Sequence, residues 1–171
     1  MTYEIVRGSV RHIRPMARRM RAAGAVALQS LGADPRRAFH DVVLGSRYCR
    51  TALSEGVPIA MWGIHGAIMA SEAEVWLVLS DDAARIPISV VREARASLKE
   101  ILASYARVTT VVIPDDEASV RFALYLGFCA AGEAEGRVGG HRARARRILC
   151  DPQLKVPVGD GFVVALTYGG D

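Results

Sequence analysis

The chain has 171 residues, 51% hydrophobic and 23% charged, with 22 Lys+Arg against 18 Asp+Glu and a net charge of +4. That length fits one domain, 1–171, and suffices to bury a core without disulfides or metals. The composition excludes a disordered or fibrous chain, and so mild a positive balance does not define a nucleic-acid binder.

The N-terminus, Met1 to Gly8, has no apolar run of the kind that marks a signal peptide. Tyr3-Glu4-Ile5-Val6 alternates and predicts a first strand. From Val10 to Leu31 apolar residues recur at helical spacing (Ile13, Met16, Met20, Val26, Leu28), with Gly24 as a break point. Arg11, Arg14, Arg18, Arg19 and Arg21 make the polar face, either a solvated surface or a dock for an acidic partner. Asp34-Pro35 predicts an N-cap with proline at the first helical position, opening a helix through Leu44. Tyr48–Leu53 and Ile59–Ile64 read as a hairpin around a turn at Ser54–Pro58.

Glu74–Leu79 is apolar enough for a central, two-sided strand. Pro87–Tyr105 is a long amphipathic helix with Val90, Val91, Ala94, Leu98, Ile101 and Leu102 as its apolar stripe. Val108–Ile113 is a β-branched strand, and Glu117–Leu126 a helix with acidic residues at its positive end, closed by Gly127. A strand starts at Phe128. Gly136, Gly139 and Gly140 predict a loop, and Gly161–Tyr168 a last strand. Arg142, Arg144 and Arg146 alternate; they suit an edge strand guarded by charge, or a face for an anion. The order β-α-α-β-β-β-α-β-α-β-β predicts an α/β domain with a mixed sheet.

Familiar motifs are absent: there is no GxGxxG, GxxxxGK[ST], HExxH or GxSxG. His12, His40, His65 and His141 do not pair at metal-ligand spacing, so no metal site is expected. Cys49, Cys129 and Cys150 form no CxxC pair and read as buried thiols of a protein in a reducing cytoplasm. The longest stretch without Asp, Glu, Lys or Arg, Gly56–Ser71, is shorter than the ~20 apolar residues of a bilayer span, which predicts a soluble protein.

Residues 74–128 run strand, loop, long helix, strand, short helix, then Leu126-Gly127-Phe128. This order, ending in Leu-Gly-Phe, resembles the core of the GNAT family of acetyl-CoA-dependent N-acetyltransferases. It is most similar to GNAT-like proteins of tailed phages, acetyltransferases or internal virion proteins. They share the look of Pro87…Arg92-Glu93 and of Ser119-Val120-Arg121-Phe122. Ile59-Ala60-Met61-Trp62-Gly63 extends the likeness as a third strand.

The resemblance implies an α/β GNAT-like fold, a central mixed sheet flanked by helices, with acetyl-CoA between two splayed parallel strands. It implies transfer of an acetyl group to an amine of a protein or small molecule, in a phage- or prophage-encoded protein acting in the host cytoplasm. The alternative is a non-catalytic virion or host-interaction protein that has lost the cofactor, and assembly partners or a homodimer are compatible with either. Membrane and nucleic acid are not expected partners. The pantetheine arm would pair with Leu77, Val78 and Leu79, a backbone N–H near Val78 polarising the thioester. The pyrophosphate would meet Ala84, Arg85, Ile86 and Ile88 at the long helix's start, with Ser119 a further contact. Glu74 is the implied general base, His65 the second candidate, and Tyr125 a stand-in for the family's thiolate-protonating tyrosine. Two departures stand out. The pyrophosphate segment Asp81-Asp82-Ala83-Ala84-Arg85-Ile86-Pro87 lacks glycine, and the family's tyrosine position, four before the Leu-Gly-Phe glycine, is Ala123.

Overall fold

The computed structural model describes residues 3–22, 24–25, 34–65, 72–85, 87–112, 116–138 and 141–150. Along the chain run β1 (Tyr3–Arg7), a 3-10 turn at Val10–His12, α1 (Ile13–Arg19), α2 (Pro35–Gly45), β2 (Tyr48–Ser54), β3 (Val57–His65) and β4 (Glu72–Leu79). A 3-10 turn at Asp81–Arg85, α3 (Pro87–Leu102), β5 (Arg107–Val112), α4 (Glu117–Leu126), β6 (Phe128–Val138) and β7 (His141–Cys150) complete it. The strands form one mixed sheet in the order β1-β2-β3-β4-β5-β7-β6, antiparallel except for the central β4–β5 pair.

Local chemistry sets several boundaries. The Asp34 carboxylate accepts from the Arg36 N–H, and Pro35 takes the first helical position where no N–H is needed. Asp116 caps α4 in the same way through the Ser119 N–H, and Gly127, at φ 102, closes α4 in the left-handed region glycine tolerates. The β2–β3 turn is tighter than predicted. Glu55 (φ 51) and Gly56 (φ 78) form a two-residue hairpin loop, so β3 begins at Val57 and includes Pro58. Proline is tolerated there because the β2 register slips between Ala52 and Leu53, its partner.

Three expectations are corrected. The first helix ends at Arg19, ahead of Gly24, because Met20 turns extended (ψ 138) and forms an antiparallel bridge with Ser80. Val26 and Leu28 lie outside the described residues. Gly136 belongs to β6 rather than to a loop. The Arg142–Arg146 segment is in β7, which lies between β5 and β6, so among the described residues β6 forms the sheet edge. Glu133 and Glu135 stand opposite Arg146 and Arg144 in that hairpin. The strand expected at Gly161–Tyr168 also lies outside the described residues.

Among the described residues, each face of the sheet is packed by two of these helices. On one, Ile13 and Met16 of α1 and Phe39, Val42 and Val43 of α2 pack against Met61, Trp76 and Val78. Trp76 is 1% exposed, meets Phe39 edge-on at 6.0 Å, and donates its indole N–H to Ser46 Oγ at 2.7 Å. On the other face, Val90, Leu98 and Ile101 of α3 and Phe122 and Ala123 of α4 cover Ala52, Ala60, Ala73, Leu79, Val108 and Val112. No described helix is long and apolar enough to cross a membrane.

Candidate active site

β4 and β5 pair for three residues only, Glu72↔Arg107, Ala73↔Val108 and Glu74↔Thr109. Beyond Glu74 the two strands continue without pairing, and a gap opens toward their C-terminal ends. β3 holds β4 along the opposite side, from His65↔Glu74 to Ala60↔Leu79.

Strand alternation decides which backbone groups face the gap. The Ser80 N–H donates to the Ile59 carbonyl at 2.9 Å, so the peptide groups of residues 80, 78, 76 and 74 face β3. Those of Val75, Leu77 and Leu79 face the gap. Two observed bonds agree: the Val75 carbonyl accepts from Thr110 Oγ1 at 3.0 Å, and the Leu79 carbonyl accepts from the Arg21 N–H at 3.1 Å. The Leu77 N–H and C=O and the Leu79 N–H are therefore directed into the gap. Val78, expected at the centre of the donor set, turns its N–H to Met61 and buries its side chain on the α1/α2 face. The Thr110 hydroxyl ties β5 to β4 just past the last paired residues, which fixes the apex.

Beside the gap, on the α3/α4 face, lies a cavity of about 90 Å3. Val75 and Leu77 of β4, Thr110 and Val112 of β5, and Ser119 and Ala123 of α4 contribute to its walls. The Ser119 side chain is fully buried and its hydroxyl is hydrogen-bonded to the Asp116 carboxylate, a capping role at the cavity wall. Ala123 presents only a methyl group. Tyr125 is not among the lining residues; two positions on, it is turned roughly 200° around the helix. Its ring lies under the Arg95 guanidinium, 4.6 Å from the centroid.

The remaining cofactor candidates gather at the start of α3. Ile88 is 80% exposed in its first turn. The Ala84 and Arg85 side chains and all of Ile86 lie outside the described residues. Asp82, whose charge would oppose a phosphate, faces Arg19 of α1 at 3.4 Å. The open β4 edge fits a pantetheine amide, while the glycine-free turn at Asp81–Arg85 offers a less open phosphate cradle.

On the opposite face, Glu74 and His65 are direct cross-strand partners at the apex. Both are half-buried, and the His65 ring packs against Gly45 at the end of α2. Burial lowers the His65 pKa and the Glu74 charge opposes that shift, so the lowered value leaves the imidazole neutral near pH 7. Among the described residues, the buried His65 Nε2 has no hydrogen-bond partner. Cys49 is a poor nucleophile, since burial pushes its thiol up to about 11. Among the described residues no three His, Cys, Asp or Glu side chains gather as a metal site.

Sequence reasoning had placed Glu74, His65, Leu77 and Ser119 around this site; Thr110 it had passed over. The available signal was a Thr109-Thr110 pair inside an otherwise apolar strand.

No family model matches the chain, and no curated protein matches it in sequence. Solved structures do match in three dimensions. A GNAT-family acetyltransferase from Bacillus anthracis aligns over 87% of this chain and 94% of its own, with TM-score 0.62 and 11% identity. The ribosomal-protein-S5-alanine acetyltransferase from Vibrio fischeri aligns over 91% and 97%, with TM-score 0.61 and 12% identity. A ribosomal L7/L12 α-N-protein acetyltransferase, solved with coenzyme A, aligns over 87% and 93%, with TM-score 0.62 and 11% identity. At such identities the likeness concerns architecture, and with the mixed sheet, the diverging β4–β5 pair and helices on both faces it shows that this chain has the GNAT acetyltransferase fold.

Proposed function

We propose that the protein is an acyl-CoA-dependent N-acyltransferase. The observation that carries this reading is the early end of β4–β5 pairing, with the Leu77 N–H and C=O and the Leu79 N–H turned into the gap. That edge takes the amides of a pantetheine arm as an added strand would, and its N–H groups are placed to stabilise charge on a thioester oxygen. The acceptor amine reaches the apex from the α1/α2 face. Glu74, partnered by neutral His65, takes the proton that the amine loses as its nitrogen bonds to the acyl carbon. The carbon–sulfur bond then breaks. A thiol pKa near 8.5 makes the thiolate a tolerable leaving group without a side-chain acid, consistent with alanine at position 123. Ala84, Arg85, Ile86 and Ile88 would flank the pyrophosphate, and Ser119 holds the neighbouring helix.

The glycine-free turn and its two aspartates favour a second reading, a cofactor-less GNAT-fold protein serving as a phage virion or host-interaction component. Calorimetric titration with CoA and acetyl-CoA at low salt separates the two. Micromolar binding, followed by CoA release in the presence of an amine, supports the transferase. No binding up to millimolar by folded protein overturns it.

A further inference from the structure

The cavity beside the gap is larger in one direction than an acetyl group needs. Beneath α3 its walls include Leu77 on β4, Ala60 on β3, Ala52 on β2 and Tyr3 on β1. A pantetheine arm lying along the β4 edge leaves that space free.

Small side chains open this space. Ala52 and Ala60 form the floor and Ala94 the roof, where a leucine at any of them would fill it. A strut holds roof and floor apart: the Trp62 indole N–H on β3 donates to Ser97 Oγ on α3 at 2.9 Å. The far end is bounded by polar groups. The Tyr3 hydroxyl donates to Glu93 at 3.2 Å and accepts from Arg92 at 2.5 Å. The cavity is thus walled mainly by apolar groups, borders the gap at Leu77 and meets polar groups at Tyr3.

We propose that the acyl group this protein transfers is a medium-length straight chain whose tail lies under α3, in the space left by Ala60, Ala52 and Ala94. This rests on the acyl-CoA reading above and names its donor. At roughly 15 Å3 of cavity per water-sized group, the space takes about six methylene-sized groups. That corresponds to hexanoyl or octanoyl thioesters.

The test is a calorimetric series on the full chain with CoA and its acetyl, butanoyl, hexanoyl, octanoyl and dodecanoyl thioesters. Each buried methylene is expected to tighten binding about two- to fourfold up to hexanoyl or octanoyl, with no further gain at dodecanoyl. Ala52→Leu is expected to bring octanoyl-CoA back toward acetyl-CoA, and Ala94→Leu serves if that variant does not fold. A flat or falling series, with CoA itself bound, overturns this inference and leaves an acetyltransferase. A rise that persists in both leucine variants overturns the channel assignment. Failure of CoA and every thioester to bind folded protein overturns the donor and the transferase reading together.

Discussion

Thr110→Val probes the apex directly, because valine keeps the shape of threonine and removes only the hydroxyl. The Oγ1 of Thr110 donates to the Val75 carbonyl at 3.0 Å, and the residue is 8% exposed. A net intramolecular hydrogen bond contributes about 0.5–1.5 kcal/mol, and a carbonyl left unpaired in a buried setting costs about 1–3 kcal/mol. Val75 is half-buried, so water recovers part of that loss, and about 1–1.5 kcal/mol is expected. For a chain of this size that lowers Tm by about 2–6 °C. Thr109→Val is the internal comparison. Its hydroxyl sits 3.4 Å from the Ala73 carbonyl, inside the paired part of the strands, and its loss is expected to cost under about 0.5 kcal/mol. The apex also spaces β4 from β5. Thr110→Val is therefore expected to weaken acetyl-CoA binding about tenfold, while Thr109→Val changes it less than about twofold. Thermal melts and calorimetry of the two variants side by side check both numbers. Indistinguishable variants would refute the claim that Thr110 fixes the gap.

Gly63→Ala is expected to destabilise by about 1–3 kcal/mol in urea unfolding. Its Cβ would collide with the Tyr48 carbonyl and meet the Trp76 indole at 2.8 Å. Stability is expected to fall below about pH 6.5. Burial first, then Arg11, lowers the pKa of His12, so the unfolded chain binds more protons there and stability rises with pH through that window. His12→Gln should flatten part of the slope of urea midpoints measured between pH 5 and 7.5. If turnover with an amine acceptor is found, Glu74→Gln should cost about 100-fold in kcat/KM, whereas Tyr125→Phe should stay within about twofold because its ring lies under Arg95. Asp82→Asn should tighten acetyl-CoA binding severalfold at low salt, and an unchanged Kd at low and high salt would separate this turn from the pyrophosphate.

Much of the fold was legible because local chemistry specified it. Asp34-Pro35, Asp116 and Gly127 mark helix ends through capping and backbone preference, and the structure places those ends there. The alternating order of strands and helices was readable from hydrophobic period alone. What sequence could not reach is pairing across distance. Helix α1 yields at Met20 because the β4 edge at Leu79–Ser80 offers backbone partners, a reason residues 10–31 do not contain. The insertion of β7 between β5 and β6 likewise depends on which edge is free, so Arg142, Arg144 and Arg146 looked like an edge strand. In the candidate site, Glu74 and His65 are named from predicted strand ends and Leu77 from the family resemblance, and the structure makes Glu74 and His65 cross-strand partners. Ala123 and Tyr125 differ by helical rotation, which is readable once the facing element is known. The role of Thr110 depends on where pairing stops, and no propensity encodes that.

In the proposed mechanism, the sheet separates the two substrates by face. Even-numbered residues of β4, Glu74, Trp76 and Val78, point to α1 and α2, and odd-numbered Val75, Leu77 and Leu79 point to α3 and α4. Proton-accepting groups therefore sit on one side and the apolar acyl space on the other, with the gap past Glu74 as their meeting place. This division makes the donor and acceptor preferences separable. Changes at Ala52, Ala94 or Tyr3 act on the acyl group without touching Glu74 or His65. Changes in α1 and α2, including the arginines exposed at positions 14, 18 and 19, act on the acceptor side. An acceptor drawn to that arginine-bearing helix would carry negative charge near its amine, and its KM would rise with ionic strength while that of the thioester's acyl tail contribution would not.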